Sequence, residues 1–123
     1  MIQEYKEAGV VILFNEPAKT IIIDGEMRHA SLIDFKPTRQ FLWSLIPAIQ
    51  KAEALTIDIE RLEYLNSSGQ ATINMFVLEL KRETKNVAIK VKGTKKYEWQ
   101  EKFLHTTKQL WGNAHPPMII ESI

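Results

Sequence analysis

The chain predicts an α/β fold: a mixed four- to five-stranded sheet with three main helices packed on it. Three observations carry that expectation. Short β-branched runs alternate with longer stretches of helical periodicity. The first two runs are separated by only a few turn-forming residues, which suits an antiparallel hairpin. Later runs are separated by helix-length segments, which suits parallel neighbours joined by crossovers. The resulting order is ββαβαβαβ.

Taken in order, Gly9–Phe14 (GVVILF) is an apolar run that reads as a strand. Asn15-Glu16-Pro17-Ala18-Lys19 breaks it, and Thr20–Ile23 begins a second strand that ends at Asp24-Gly25-Glu26. Asp34 is placed to cap a helix whose first turn accommodates Pro37. On it Phe35, Thr38, Leu42, Leu45, Ile46 and Ile49 share one face, an apolar stripe for the sheet. Pro47 removes a hydrogen bond there and predicts a kink or an early last turn. Trp43 lies off the stripe.

Leu55–Ile59 is the third strand, Thr56 and Asp58 alternating with Leu55, Ile57 and Ile59. A helix follows the serines and runs to about Glu83. Asn86–Val91 is a fourth strand. Lys95–Trp111 reads as a third helix with a sparse stripe of Trp99, Phe103 and Leu110, stopped by Gly112-Asn113 and then Pro116-Pro117. Met118-Ile119-Ile120 can add a short last strand.

Composition bounds the function. At 123 residues the expectation is a single domain, 1–123, with its own core. With 16 basic and 15 acidic residues, net charge offers no argument for nucleic acid or an anionic membrane. There is no cysteine, which removes disulfides, thiol chemistry and cysteine-held metals. The N-terminal MIQEYKEAG lacks the pattern of a signal peptide, and no apolar run approaches the length of a membrane span. The expectation is a cytoplasmic protein.

The stretch Leu55–Gly69 (LTIDIERLEYLNSSG) organises the rest. A strand passes a turn at Glu60-Arg61 and ends in two hydroxyls and a glycine, where a helix begins. Helix starts carry unpaired N–H groups and a partial positive charge, so a serine there is either a cap or a well-placed phosphate acceptor. At ~100° per residue the following helix shows two apolar faces. Ile73, Phe76, Val77 and Leu80 form the larger. Ala71, Met75 and Leu78 form a smaller one, with Ser67 in line one turn back. That ridge suits a docking surface gated by phosphorylation; equally, Met75 and Leu78 can pack beneath a neighbouring helix.

These residues resemble the STAS domain of the anti-sigma factor antagonist family. Ile57-Asp58-Ile59-Glu60 and Tyr64-Leu65-Asn66-Ser67-Ser68-Gly69 are in register with its strand and its Asp-Ser-Ser-Gly motif. Gly25-Glu26-Met27-Arg28 resembles the family's Gly-Glu-Leu-Asp. The nearest flavour is that of bacterial and cyanobacterial STAS-like regulators whose motif reads Leu-Asn-Ser or Leu-Asn-Thr. The resemblance implies a non-enzymatic protein-interaction module. Ser67 is its phospho-acceptor, and Asp58, Asn66, Ser68, Gly69, Gly25 and Glu26 surround the site. The resemblance further implies, as partners, an anti-sigma factor or serine-kinase-type protein and a serine phosphatase. Asn66 and Arg28 stand where the family has acids, so the site is less negative. The family's helix after the last strand has no counterpart here.

Competing chemistries are thinly supported. Ser67-Ser68-Gly69 lacks the flanking glycines of an esterase elbow. His29, His105 and His115 are far apart, show no metal spacing and read as solvated. Asp58 and Glu60 share strand parity, but strand-end acids ordinarily meet water or cap helices. Lys90, Lys92, Lys95 and Lys96 with Tyr97 and Trp99 make a local basic-aromatic cluster too narrow for a nucleic-acid surface. No cofactor is expected. The alternative kept open is a small-molecule or nucleotide sensor on the same fold.

Overall fold

The computed structural model describes residues 1–7 and 9–123. Its elements in chain order are β1 (Ile2–Glu7), β2 (Val10–Asn15), β3 (Thr20–Met27), α1 (Lys36–Ser44), α2 (Ile46–Gln50), β4 (Ala54–Asp58), β5 (Leu62–Leu65), α3 (Ser67–Glu83), β6 (Ala88–Gly93), α4 (Glu98–Trp111) and β7 (Ile119–Ser122). The sheet has seven strands in the order β1-β2-β3-β4-β6-β7, with β5 also paired to β3. β1, β2 and β3 are antiparallel; β4, β5, β6 and β7 extend the sheet in parallel. The α/β class, the hairpin and the parallel crossovers are as expected. The strand count is larger.

Both unexpected strands have a physical reason. β1 reads IQEYKE, with charges at Glu4, Lys6 and Glu7, because it is an edge strand. Charged residues on an edge discourage pairing with other chains, and they also hide the strand from an apolar-pattern reading. Its one large inward side chain, Tyr5, stacks on Phe41 of α1 at 5.4 Å. β5 is four residues long and does not alternate: Leu62 and Leu65 are both buried while Glu63 and Tyr64 are exposed. A register shift between Gly25 and Glu26 in β3 permits that pattern.

All helices cover one face of the sheet. Ile12, Phe14, Ile21, Ile23, Leu55, Ile57, Ile89 and Val91 point into the core there. Helix α1 contributes Leu42, and α3 contributes Ile73, Phe76, Val77 and Leu80, the larger of its two stripes. Pro47 splits the first helix as its chemistry demands: α1 stops at Ser44 and α2 restarts with proline in its first turn. Asp34 does not cap α1. The N-cap position is Phe35, without a side-chain cap, and Asp34 instead accepts a hydrogen bond from Ser31 Oγ at 3.1 Å.

Helix α4 departs from the expected stripe. Gln100, Phe103, Leu104, Thr107 and Trp111 are buried, whereas Trp99 and Leu110 are only half-buried. The stripe was obscured because two of its members are polar. Gln100 is fully buried, its Nε2 donating to the carbonyls of Ile59 (2.7 Å) and Leu62 (2.9 Å). Its Oε1 accepts from Thr94 N at 2.8 Å. One side chain thus ties the β4–β5 turn to the exit of β6. Gly93 leaves room for it, since a Cβ there would lie 2.7 Å from Gln100 Oε1.

Beside α1, Thr38 is buried and donates to Glu7 Oε2 at 3.1 Å, with the Tyr5 hydroxyl 3.5 Å away. Burial pushes the Tyr5 phenol above its ordinary value, the Thr38 hydrogen bond opposing it and Glu7 adding to it. Among the described residues no helix is long and apolar enough to cross a membrane.

Two outcomes are expected. Gln100→Leu strands the Thr94 N–H and takes a donor from the carbonyls of Leu62 and of Ile59, which still accepts from Leu62 N, and costs about 1–3 kcal/mol in denaturant unfolding. An alkaline absorbance titration should show a tyrosinate component above the usual ~10 that Tyr5→Phe removes. Because the folded value is raised, its contribution to stability is complete below ~10 and is lost as pH rises through the folded value.

Candidate functional site

The site is set by where α3 begins. β4 pairs with β3 at Thr20–Ile22, whereas β5 pairs farther along β3, at Gly25–Met27. Asp58 is therefore opposite Ile22, and Leu65 opposite Met27. Those five residue steps along β3 amount to about 16 Å at the extended-strand rise. Asp58 does not share a site with Ser67, as the family register implied. Its Oδ1 accepts from Glu60 N at 2.9 Å and closes the β4–β5 turn. Four residues of β5, invisible as a strand in the sequence, separate the two.

Asn66 is the residue that builds the helix start. It is the N-cap of α3, its Oδ1 accepting from Gly69 N at 2.8 Å. Its Nδ2 donates to His29 O at 2.8 Å, and its own N–H donates to Met27 O at 3.3 Å. One amide side chain caps a helix and ties down the loop between β3 and α1. An aspartate would keep the cap and the backbone contact but has no donor for the His29 carbonyl. That explains the asparagine where the resembling family has an acid.

Capping by Asn66 releases both serines from that duty. Ser68 is half-buried and its Oγ donates weakly to Ala30 O at 3.4 Å. Ser67, the first residue of α3, is exposed, and among the described residues its hydroxyl has no hydrogen-bond partner. Gly69 is buried because the helix start runs close to the end of β3: a Cβ there would lie 2.6 Å from Leu65 Cδ1 and 3.1 Å from Met27 Cβ. The first turn of α3 holds no acid, so its partial positive charge is uncompensated, while Lys81 and Arg82 complement the other end.

Gly25 and Glu26 serve the sheet more directly than the serines. Gly25 has φ +108, and a Cβ on it would lie 2.1 Å from Gly9 O, so only glycine fits. Glu26 chelates Arg28 at 2.7 and 3.3 Å. That hydrogen bonding holds the Glu26 carboxyl below and the Arg28 guanidinium above their usual ranges. Arg28 also lies 4.0 Å over the exposed Tyr64 ring. A charged and aromatic patch therefore precedes the serines, a feature the sequence reading had not assembled.

The smaller stripe of α3 is only partly covered. Met75 is 39% and Leu78 43% exposed, and Ala71 is half-buried. Thr72, between the two stripes, is buried and donates to Ser68 O at 2.8 Å. Beside Met75 opens a groove of about 390 Å³ lined by Lys36, Arg39, Gln40 and Trp43 of α1. Trp43 is covered on one side by Phe76, 5.7 Å away at 49°, and faces the groove on the other.

The remaining candidates fall into structural roles. His29, read as solvated, is half-buried: its Nε2 is 2.7 Å from Glu7 Oε1 and its ring stands edge-on to Phe35 at 4.8 Å. Lys90 and Lys92 pair with Glu121 (3.7 Å) and Glu60 (3.8 Å), which divides the basic cluster. Among the described residues no group of three His, Cys, Asp or Glu could hold a metal ion.

No protein-family model and no curated protein sequence matches this chain. Solved structures do. SiaC of Pseudomonas aeruginosa superposes with a TM-score of 0.67 at 12% identity, over 100% of this chain and 99% of that one. A crystal structure of the diguanylate cyclase SiaD in complex with its activator SiaC, from the same organism, matches with a TM-score of 0.67 at 14% identity, over 98% of this chain and 99% of the matched one. Apo-SiaC matches at 0.64 and 14% identity, over 97% and 98%. At these identities what is shared is the fold, along nearly the whole of both chains.

Asn66→Ala should cost about 1–3 kcal/mol, combining a lost cap with a lost hydrogen bond. Asn66→Asp should keep the Gly69 amide protected from hydrogen exchange and speed exchange at Phe35 and Lys36, whose N–H groups donate to carbonyls of the tethered loop. Uniform exchange in Asn66→Asp would mean that the amide clamp does not hold that loop.

Proposed function

We propose that this chain is a non-enzymatic regulatory module that binds a partner protein and is switched by phosphorylation of Ser67. The single observation that carries the reading is the division of labour at the start of α3. Asn66 does the capping, which leaves an exposed, unemployed hydroxyl at Ser67 on a positively polarised helix end, in line with the half-buried Ala71 and the exposed Met75 and Leu78. The register with the STAS phospho-acceptor motif supports it. So does a fold shared with SiaC, which is described as the activator of a diguanylate cyclase in complex with it. A serine kinase and a serine phosphatase complete the proposed switch.

The chemistry is electrostatic. A phosphoserine at Ser67 adds roughly −1.5 to −2 charges beside the docking stripe. The same charge meets the helix N-terminus favourably, so it changes binding without loosening the fold.

The test separates those two effects. Phosphate should be found on Ser67 by mass spectrometry of protein from its native host. Ser67→Ala should retain the partner and Ser67→Asp lose it, while Ser67→Asp is more stable than wild type by about 0.3–1 kcal/mol. Equal partner capture by the two variants, or a destabilised Ser67→Asp, would remove the switch. A ligand-induced thermal shift indifferent to charge at Ser67 would favour a small-molecule sensor.

A further inference from the structure

We propose that the groove between α1 and α3 receives an acidic amphipathic helix of the partner protein, an inference that rests on the partner-binding reading above. The groove has an apolar floor, Trp43 and Met75, continued along α3 by Leu78. Its rim is basic: Lys36 and Arg39 line it with Gln40, no acidic residue does, and α1 contains no acid at all. Arg39 is held in place by its Nη1, which donates to Leu32 O at 2.5 Å. The acids that continue that flank of α3, Glu79 and Glu83, both pair with Arg82, at 2.6 and 3.5 Å.

A trough between two helices, apolar below and basic on one side, is the geometry that accepts a helix through anchors spaced i, i+3 or i+4, and i+7. Its charge selects acidic flanks on that helix. A polar small ligand would leave Trp43 and Met75 uncovered, and a basic segment would meet Lys36 and Arg39.

The placement also gives the switch a direction. Ser67 is eight residues before Met75 on the same helix, about 12 Å along its axis. An acidic helix lying in the groove and extending toward the start of α3 brings like charge to a phosphate at Ser67. At physiological salt the Debye length is about 8 Å, so this repulsion acts where the partner overhangs the helix start and weakens as salt is raised.

Lys36 and Gln40 are exposed, so Lys36→Glu and Gln40→Glu alter the rim without touching the core. A synthetic Glu/Leu amphipathic helix should bind the wild-type protein with shifts confined to α1 and α3 in amide NMR spectra. The double variant should weaken it by about tenfold or more while its melting temperature holds. A Lys/Leu helix that binds as tightly as the Glu/Leu one would overturn the proposal. Photocrosslinking in the native host from Gln40→p-benzoylphenylalanine, read by mass spectrometry, should give a segment rich in Asp and Glu with helical apolar spacing. A crosslink to a second copy of this chain, to a basic segment or to a lipid would also overturn it. The two proposals fail separately. If Ser67→Asp loses the native partner and the Lys36→Glu, Gln40→Glu variant keeps it, the groove is overturned and the switch stands. The converse supports the groove and overturns the switch.

Discussion

The side-chain amide of Asn66 is the contact on which the functional end of the molecule depends. It is the only place where the end of β5, the start of α3 and the loop leading into α1 meet through one residue's hydrogen bonds among those described. Both halves of the amide are needed, because a helix start offers donors and the loop offers a carbonyl. With that contact made, the two helices that line the groove have a fixed relation at their N-terminal ends, and the Ser67 hydroxyl that follows carries no structural load. Freedom at Ser67 is thus a consequence of constraint at Asn66.

A second polar clamp, Gln100, does for the sheet what Asn66 does for the site. It is buried, and all three of its contacts go to backbone groups at the β4–β5 turn and the exit of β6. The parallel half of the sheet needs such a device. β5 leaves the path of β4 to pair farther along β3, and the turn between them exposes carbonyls inside the protein. The open face of the sheet, by contrast, is managed by charge, with Lys90–Glu121 and Lys92–Glu60 spanning neighbouring elements. Such exposed pairs add little stability each.

Much of the fold was legible in the chain. Period-2 runs marked β2, β3, β4 and β6, and period-3.6 stripes on the first two helices named residues that are buried, such as Leu42, Ile49, Phe76 and Leu80. What failed to show were elements whose apolar signal is broken for a reason. β1 is charged because it is an edge; β5 is irregular because β3 shifts register beside it; the α4 stripe is interrupted because Gln100 and Thr107 are buried with partners. Local pattern registers burial only when burial is apolar.

The candidate site divides along the same line. By itself the sequence determined that a helix begins at Asn66-Ser67-Ser68-Gly69 and that its second stripe runs through Ala71, Met75 and Leu78, since both follow from spacing along one continuous helix. Tertiary structure alone decided the rest. Which of three capping-competent side chains takes the cap depends on whether a carbonyl from elsewhere, that of His29, is there to receive an amide N–H. Whether Asp58 approaches Ser67 depends on how far β5 carries the chain along β3. Whether Met75 is core or surface depends on α1 packing its Trp43 against Phe76 and stopping short of Met75, leaving a groove with Lys36 and Arg39 on its rim. Each is a contact between residues distant in the chain, and spacing along the chain does not determine it.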